Sequence, residues 1–315
     1  MKTTALITAA LLACACTESK EHFVAELLDT PKDYTFRHSI EERASYQLND
    51  CNIEYYIQSN GPGTSQRVIM AFPKHFEEPI AAVVVPFYYP EAMLGYDPLT
   101  GKELRRFFGI EMMRQLAQRG IASISAESYH LTYTESGKDR DDFTRWQDAA
   151  NALLLDYPQW DGIGKLVHDT RLLIDLLEAD PRIDSKRIGI AGHSLGGKMA
   201  FYTGCIDPRV KAILASDFGL LWDQTNWEAD WYWGEKLNTL RSREIDNHQL
   251  LKIGGCKPFF LIAGEADTDA SRDAVMSIKG YKQHPENFGF FNHATGHRPT
   301  PEALDKGYDF LLRHL

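Results

Sequence analysis

The chain has 315 residues, a formal net charge of −10, 43% hydrophobic residues and 25% charged residues. These values are ordinary for a soluble globular protein, and the length suits one large α/β domain with a substantial core. The negative charge argues against nucleic acid as a partner, because binding phosphates requires a basic surface.

The N-terminus has the pattern of a targeting signal. Lys2 precedes a short apolar run over residues 5–13, and a Leu-Leu-Ala-Cys sequence ends at Cys14, with Cys16 two positions later. The run is too short to span a membrane stably and resembles a bacterial lipoprotein signal. We predict that residues 1–16 are this signal, that the protein is exported, and that an acylated Cys14 or Cys16 anchors it to the cell envelope as its only membrane contact. The alternative is a cleaved signal and a secreted protein.

Residues 17–50 are polar and charged, with one amphipathic patch over residues 23–28. This pattern predicts a tether with a peripheral helix, followed by a catalytic domain over residues 51–315. The three remaining cysteines are predicted to be mainly buried free thiols, although one bridge among them is an open alternative; they are Cys51, Cys205 and Cys256. Their spacing is not that of a zinc site, and we predict no metal.

From residue 51 the hydrophobic pattern alternates between strands and helices. Strands are predicted over residues 52–58, 67–72, 80–86, 121–126, 187–191, 210–215, 258–263 and 288–291. Helices are predicted over residues 103–118 and 163–177, from residue 198, and from residue 301 behind a Thr300 cap. Residues 128–160 read as a long loop with a short helix. This alternation predicts an α/β fold with a mainly parallel central sheet and helices on both faces.

The sequence Gly-His-Ser-Leu-Gly-Gly, at positions 192–197, lies between a predicted strand and a predicted helix. A strand, a Gly-x-Ser-x-Gly turn and a helix together indicate a nucleophile elbow, in which Ser194 is exposed on a sharp turn. The glycines allow the backbone to turn and the helix to approach the strand.

A serine hydroxyl needs a base to take its proton and an acid to orient that base. Asp267 comes just after the strand predicted over residues 258–263, so it falls at the carboxyl edge of the sheet and is the preferred acid. The rival acids are Glu265, Asp269 and Asp217, the last of which follows the preceding strand.

His297 is the preferred base because it lies in a loop between the last strand and the last helix, and Gly296 gives that loop freedom. The other histidines downstream of the preferred acid are His284, His293 and His314, and His293 is the main rival. His193, beside the nucleophile, is predicted to support the elbow.

An oxyanion hole needs two backbone N–H donors. We predict Leu195 as one donor and Phe87 or Tyr88, after the third predicted strand, as the other. Tyr89 is predicted to line the substrate pocket.

Four of the six tryptophans lie in one segment after residue 215. Trp222, Trp227 and Trp231 are predicted to line the pocket, where aromatic faces suit flat apolar or sugar-ring substrates. The alternative is that these tryptophans pack in the core. Their spacing does not distinguish the two roles.

Residues 67–315 resemble the α/β-hydrolase superfamily, and within it the dienelactone-hydrolase-like and acetyl-xylan-esterase-like branch. The elbow motif, Asp-Pro-Arg-Val-Lys-Ala at residues 207–212, the Asn-Trp to Trp-Tyr segment at 226–232 and the Asn-His to Gly-His segment at 292–297 carry the resemblance. It implies an α/β-hydrolase fold with the Trp-rich insertion near the active site, and ester hydrolysis through an acyl-enzyme without a cofactor. Dienelactone hydrolases proper use a cysteine nucleophile, so Ser194 argues against a dienelactone substrate.

These observations predict a serine carboxylic ester hydrolase that acts on a small-molecule or glycan ester, with a triad of Ser194, His297 and Asp267. A serine peptidase with the same triad is one alternative. A non-catalytic binding lipoprotein on a hydrolase fold is the other. The sequence does not indicate an oligomeric state.

Overall fold

The computed structural model describes residues 19–48, 50–134 and 141–315. The predicted signal over residues 1–16 lies outside these ranges. Within them, no helix is long and apolar enough to cross a membrane.

The described residues form one nine-stranded sheet in the order β1-β2-β3-β5-β4-β6-β7-β8-β9. The strands are β1 (Ile40–Gln47), β2 (Cys51–Gly61), β3 (Thr64–Pro73), β4 (Ile80–Val84), β5 (Ala122–Ala126), β6 (Ile183–His193), β7 (Val210–Ser216), β8 (Phe259–Ala263) and β9 (Phe288–Asn292). The three pairs from β1 to β5 are antiparallel, and the five pairs from β5 to β9 are parallel. The prediction of a mainly parallel sheet is confirmed.

Helices cover both faces of this sheet. They are α1 (Lys20–Leu27), α2 (Pro90–Leu94), α3 (Met112–Ala117), α4 (Tyr129–Thr132), α5 (Asp142–Asp156), α6 (Gly162–Ala179), α7 (Leu195–Ile206), α8 (Lys236–Ser242), α9 (Asp269–Ser277), α10 (Lys279–Gln283) and α11 (Pro301–Arg313). Short 3₁₀ turns occupy Arg105–Phe107, Asn247–Lys252 and Pro285–Asn287. Alternate strand residues face two separate cores, so that α6 and α7 pack on one side and α3 and α11 on the other. Burial of both faces explains why β4 and β8 are continuous apolar runs.

The first strand lies inside the segment that the sequence predicted to be a tether. β1 pairs with β2 from Ile40 opposite Gln58 onward, so the sheet begins before residue 51. Most side chains of β1 are exposed. Alternation of apolar and polar residues is the usual sequence signal for a strand. An exposed edge strand of this kind lacks that alternation, so the sequence gives little sign of it.

Two helix predictions need correction. The helix predicted over residues 103–118 is divided into a 3₁₀ turn and α3, because Gly109 adopts a φ of 92° between them. Conversely, the region predicted as a long loop contains α4 and the 15-residue α5, which Asp141 caps by accepting a hydrogen bond from the Thr144 N–H at 2.9 Å.

Candidate active site

The serine turn between β6 and α7 has the strained geometry of an elbow. Ser194 adopts φ 57° and ψ −119°, and its N–H donates to the Ser216 carbonyl at 2.9 Å. A Cβ atom on Gly192 would lie 2.1 Å from the Gly196 carbonyl oxygen, and one on Gly196 would lie 2.1 Å from the Pro86 carbonyl oxygen. Only glycine fits these two positions, and the tight turn holds the Ser194 hydroxyl at the carboxyl edge of the sheet.

His297 meets the serine from the loop between β9 and α11. Its Nε2 lies 2.8 Å from Ser194 Oγ. The neighbouring Arg298 fastens this loop by donating to the carbonyls of Phe108 and Arg106 at 2.6 and 3.1 Å. His293 is turned away, with its Nδ1 2.7 Å from the Thr295 hydroxyl. The structure therefore brings together Ser194 and the histidine preferred from the sequence.

The carboxylate beside His297 belongs to Asp217, which corrects the predicted acid. Asp217 follows β7 with a φ of 43°, and its Oδ2 lies 2.7 Å from His297 Nδ1. Asp267 follows β8, as expected, but its carboxylate faces the backbone of residues 218–220 instead. Both acids lie at the same edge of the sheet. The sequence therefore predicted the position of Asp267 correctly but not the direction of its carboxylate.

The two carboxylates have opposite pKa shifts. Burial by itself would raise the pKa of Asp217, but hydrogen bonds from His297 and from backbone N–H groups outweigh it and hold the pKa below its usual range. Burial dominates at Asp267 and raises its pKa despite the hydrogen bonds that it accepts. Asp217 is therefore the ionised partner that can stabilise a positively charged His297.

His193 packs against the candidate base. Its ring centroid lies 4.6 Å from that of His297, and its Nδ1 lies 3.2 Å from the Ser216 hydroxyl. Burial, with a smaller contribution from His297, lowers the pKa of His193 to about 3. His193 is thus neutral near pH 7 and places no positive charge beside His297.

A cavity of about 460 Å³ opens above the serine. Ser194, Asp217 and His297 line it. The other polar side chains on its wall are Asp142, Lys198, Thr225 and Asn226, and the aromatic ones are Tyr88, Tyr89, Phe143, Trp146, Phe218 and Tyr232. Of the predicted pocket residues, Tyr89 lines this cavity. Trp222, Trp227 and Trp231 do not. The first two are buried in the core, and Trp231 stacks on Phe143.

Of the three predicted oxyanion positions, Tyr88 lines the same cavity, and Leu195 and Phe87 are next in sequence to the lining residues Ser194 and Tyr88. Leu195 is the first residue of α7, where a backbone N–H has no acceptor within the helix. Phe87 and Tyr88 follow β4, whose end packs on the elbow, and the Tyr88 ring stacks on Trp146 with centroids 4.6 Å apart. Their role as donors remains a prediction.

Lys198 is a pocket residue that the sequence reasoning missed. It lies one turn along α7 from Ser194, and the i,i+4 spacing could have placed it on the same helix face. Its Nζ donates to the Phe218 carbonyl at 2.7 Å and lies 3.9 Å from the centroid of the Trp227 ring. Burial lowers the pKa of Lys198 to about 7, although nearby carboxylates oppose this shift.

This shift predicts a pH-dependent difference in stability between the wild type and a Lys198→Met variant. Above about pH 7 the folded protein has lost the Lys198 proton, whereas the unfolded chain keeps it until about pH 10. Hence the free energy of unfolding of the wild type should rise relative to that of the variant over this interval. Urea unfolding at several pH values measures the difference, and exposed Lys186→Met is the control. A difference that stays constant with pH would contradict the shift.

Within the described ranges, no group of three or more His, Cys, Asp or Glu side chains is placed to hold a metal ion. Cys51, Cys205 and Cys256 are free thiols; the first two are buried and the third is partly exposed.

The profile of the dienelactone hydrolase family matches residues 104–283, more than half of the chain. No curated protein sequence matches this chain.

Solved structures share the fold at low sequence identity. A glucuronoyl esterase from Solibacter usitatus superposes with a TM-score of 0.67 at 11% identity, covering 93% of this chain and 91% of that one. A glucuronoyl esterase from Teredinibacter turnerae gives 0.65 at 17% identity, with coverages of 90% and 80%. An acetyl xylan esterase from a Paenibacillus species gives 0.60 at 15% identity, with 94% of each chain covered.

Proposed function

Because the chain belongs to the dienelactone hydrolase family, we propose that it hydrolyses carboxylic esters with Ser194 as nucleophile, His297 as base and Asp217 as acid. Membership of this family confirms the expectation of an α/β-hydrolase enzyme. The observation that carries the proposed roles is the continuous line of hydrogen bonds, 2.8 and 2.7 Å long, from Ser194 through His297 to a buried carboxylate.

In this mechanism the Ser194 hydroxyl gives its proton to His297 Nε2 as Oγ attacks the ester carbonyl carbon. The negative charge on the carbonyl oxygen is held by the N–H of Leu195 and by that of Phe87 or Tyr88. The intermediate collapses, the C–O bond to the alcohol breaks, and His297 protonates the leaving oxygen. A water molecule, deprotonated by His297, then attacks the acyl-enzyme, and the acid leaves as Ser194 regains its proton.

We place the substrate among carbohydrate esters. The cavity combines aromatic faces, which pack well on sugar rings, with Asp142, Asn226 and Thr225 side chains, which can hydrogen-bond sugar hydroxyls. The solved structures with the same fold include glucuronoyl and acetyl xylan esterases, which supports this choice as an analogy of fold.

A substrate panel tests the proposed reaction. We expect turnover of p-nitrophenyl acetate, and faster turnover of either acetylated xylo-oligosaccharides or glucuronic acid methyl ester. A peptide p-nitroanilide should not be cleaved, which separates the esterase from a serine peptidase. Cleavage of the peptide substrate alone would support the peptidase, and inertness toward all substrates would support a binding protein.

We also propose export and attachment through an acylated Cys14 or Cys16. We expect the full chain to fractionate with membranes, and the double variant Cys14→Ser, Cys16→Ser to become soluble, because the apolar run is too short to hold the protein by itself. Each single variant identifies which cysteine carries the lipid. Mass spectrometry of the mature N-terminus gives the direct answer. An unmodified N-terminus beyond residue 16 would mean that the protein is secreted without a lipid anchor.

A further inference from the structure

The proposed acid is held by the loop that follows the neighbouring strand. One oxygen of Asp217 accepts backbone N–H groups from Gly264, Ala266 and Asp267 at 3.0, 2.9 and 2.9 Å. The other accepts the N–H of Glu265 at 3.1 Å, together with His297. Four successive N–H groups therefore orient this carboxylate.

The second carboxylate makes the reciprocal arrangement. Asp267, which belongs to that loop, accepts backbone N–H groups from Phe218, Gly219 and Leu220 at 2.9, 2.9 and 2.7 Å. It also accepts the Ser271 hydroxyl at 2.9 Å. Each aspartate thus binds the backbone beside the other, and we call residues 217–220 with 264–267 the aspartate clasp.

The carbonyls of the same segment are also bound. Lys198 donates to the Phe218 carbonyl, and Trp227 Nε1 donates to the Gly219 carbonyl, both at 2.7 Å. The chain leaves β7 through the left-handed conformation of Asp217, which is unfavourable for a residue with a side chain. The partners of residues 218–220 therefore hold the turn that directs Asp217 toward His297.

Burial of two carboxylates is costly unless each is fully hydrogen-bonded, and both are fully buried here. Asparagine at position 267 would preserve the volume. Its NH₂ group, however, would replace one acceptor oxygen and face backbone N–H groups that also donate. The two acceptor oxygens of Asp267 are thus what the clasp requires.

We propose that Asp267 is a positioning residue for the esterase reaction: it fixes both loops of the aspartate clasp and thereby keeps the Asp217 carboxylate on His297 Nδ1. This proposal rests on the proposed function, in which Asp217 is the acid. Asp267 has no hydrogen bond to His297 and does not itself line the cavity, so it acts on the reaction through Asp217. A misplacement of catalytic groups by about 1 Å can cost roughly 10²-fold in rate.

The test is a double-mutant cycle on the full chain with an ester substrate. Asp267→Asn should lower kcat by roughly 10- to 100-fold and change KM by a much smaller factor, because Asp267 itself does not line the cavity. In an Asp217→Asn background the same change should lower kcat by no more than about twofold further, because the group that it positions is gone. Asp207→Asn is the matched control, since Asp207 is also a buried carboxylate but pairs with Arg209 away from the cavity. This control should lose stability without a comparable fall in kcat.

The outcomes separate the two proposals. If Asp217→Asn is crippling but Asp267→Asn leaves kcat within about twofold, or costs equally in both backgrounds, the positioning role is overturned and the proposed function stands. If Asp217→Asn is harmless, the proposed acid is wrong. Should Asp267→Asn not fold, Ser271→Ala decides: loss of the hydroxyl that donates to Asp267 should lower kcat several-fold at constant KM. An unchanged kcat would overturn the positioning role.

Discussion

Ser194→Ala should abolish ester turnover, with a fall in kcat of roughly 10³-fold or more and no loss of fold. The hydroxyl is the only atom of this side chain that can form the acyl-enzyme, and its side-chain hydrogen bond goes to His297. The glycines around position 194 impose the backbone geometry, so the turn does not depend on the hydroxyl. The measurement is kcat on p-nitrophenyl acetate beside a thermal unfolding curve.

Ser185→Ala is the matched control, because Ser185 is an exposed serine of the same strand β6. It should keep both the rate and the melting temperature of the wild type. Wild-type turnover by purified Ser194→Ala would remove the elbow serine from the mechanism.

Asp217→Asn should lower kcat by about 10³- to 10⁴-fold, although the side chain keeps its size. An amide cannot stabilise the charged imidazole, and its NH₂ group favours the histidine tautomer that cannot take the Ser194 proton. Combined with Ser194→Ala, the change should add little, because members of a triad act as one unit.

Comparison with Asp267→Asn makes this prediction specific. Both residues are buried aspartates at the ends of neighbouring strands, but only Asp217 reaches His297. The clasp predicts an intermediate loss for Asp267→Asn and a much larger one for Asp217→Asn. The reverse order would restore Asp267 as the acid.

Ser194 and His297, which the structure brings together, could be proposed from sequence because each has a strong local constraint. Gly192 and Gly196 flank Ser194 where no side chain fits, and His297 follows the last strand in a glycine-containing loop. The acid has no such constraint. Asp217 and Asp267 both follow parallel strands at one edge, and their directions are decided by the crossed hydrogen bonds of two loops 50 residues apart, which no local pattern records.

The fold was similarly predictable where both faces of an element are buried. The apolar runs of β4, β7 and β8 were found close to their observed bounds, whereas β1 was missed because its side chains are mostly exposed. The Trp-rich segment shows a further limit. Trp222 and Trp227 are buried in the core, while Thr225, Asn226 and Tyr232 of the same segment line the cavity. Composition alone does not show which residues of the segment take which of these two positions.

Labelling with a fluorophosphonate tests the central claim most directly, because the reagent phosphonylates a serine only when a base activates it. After reaction of the full chain, intact-protein mass spectrometry should show one added phosphonyl group, and peptide mapping should place it on Ser194. Ser194→Ala should not label, and Asp217→Asn should label far more slowly than the wild type. A label on another residue, or an unlabelled wild-type protein that is folded, would contradict the account.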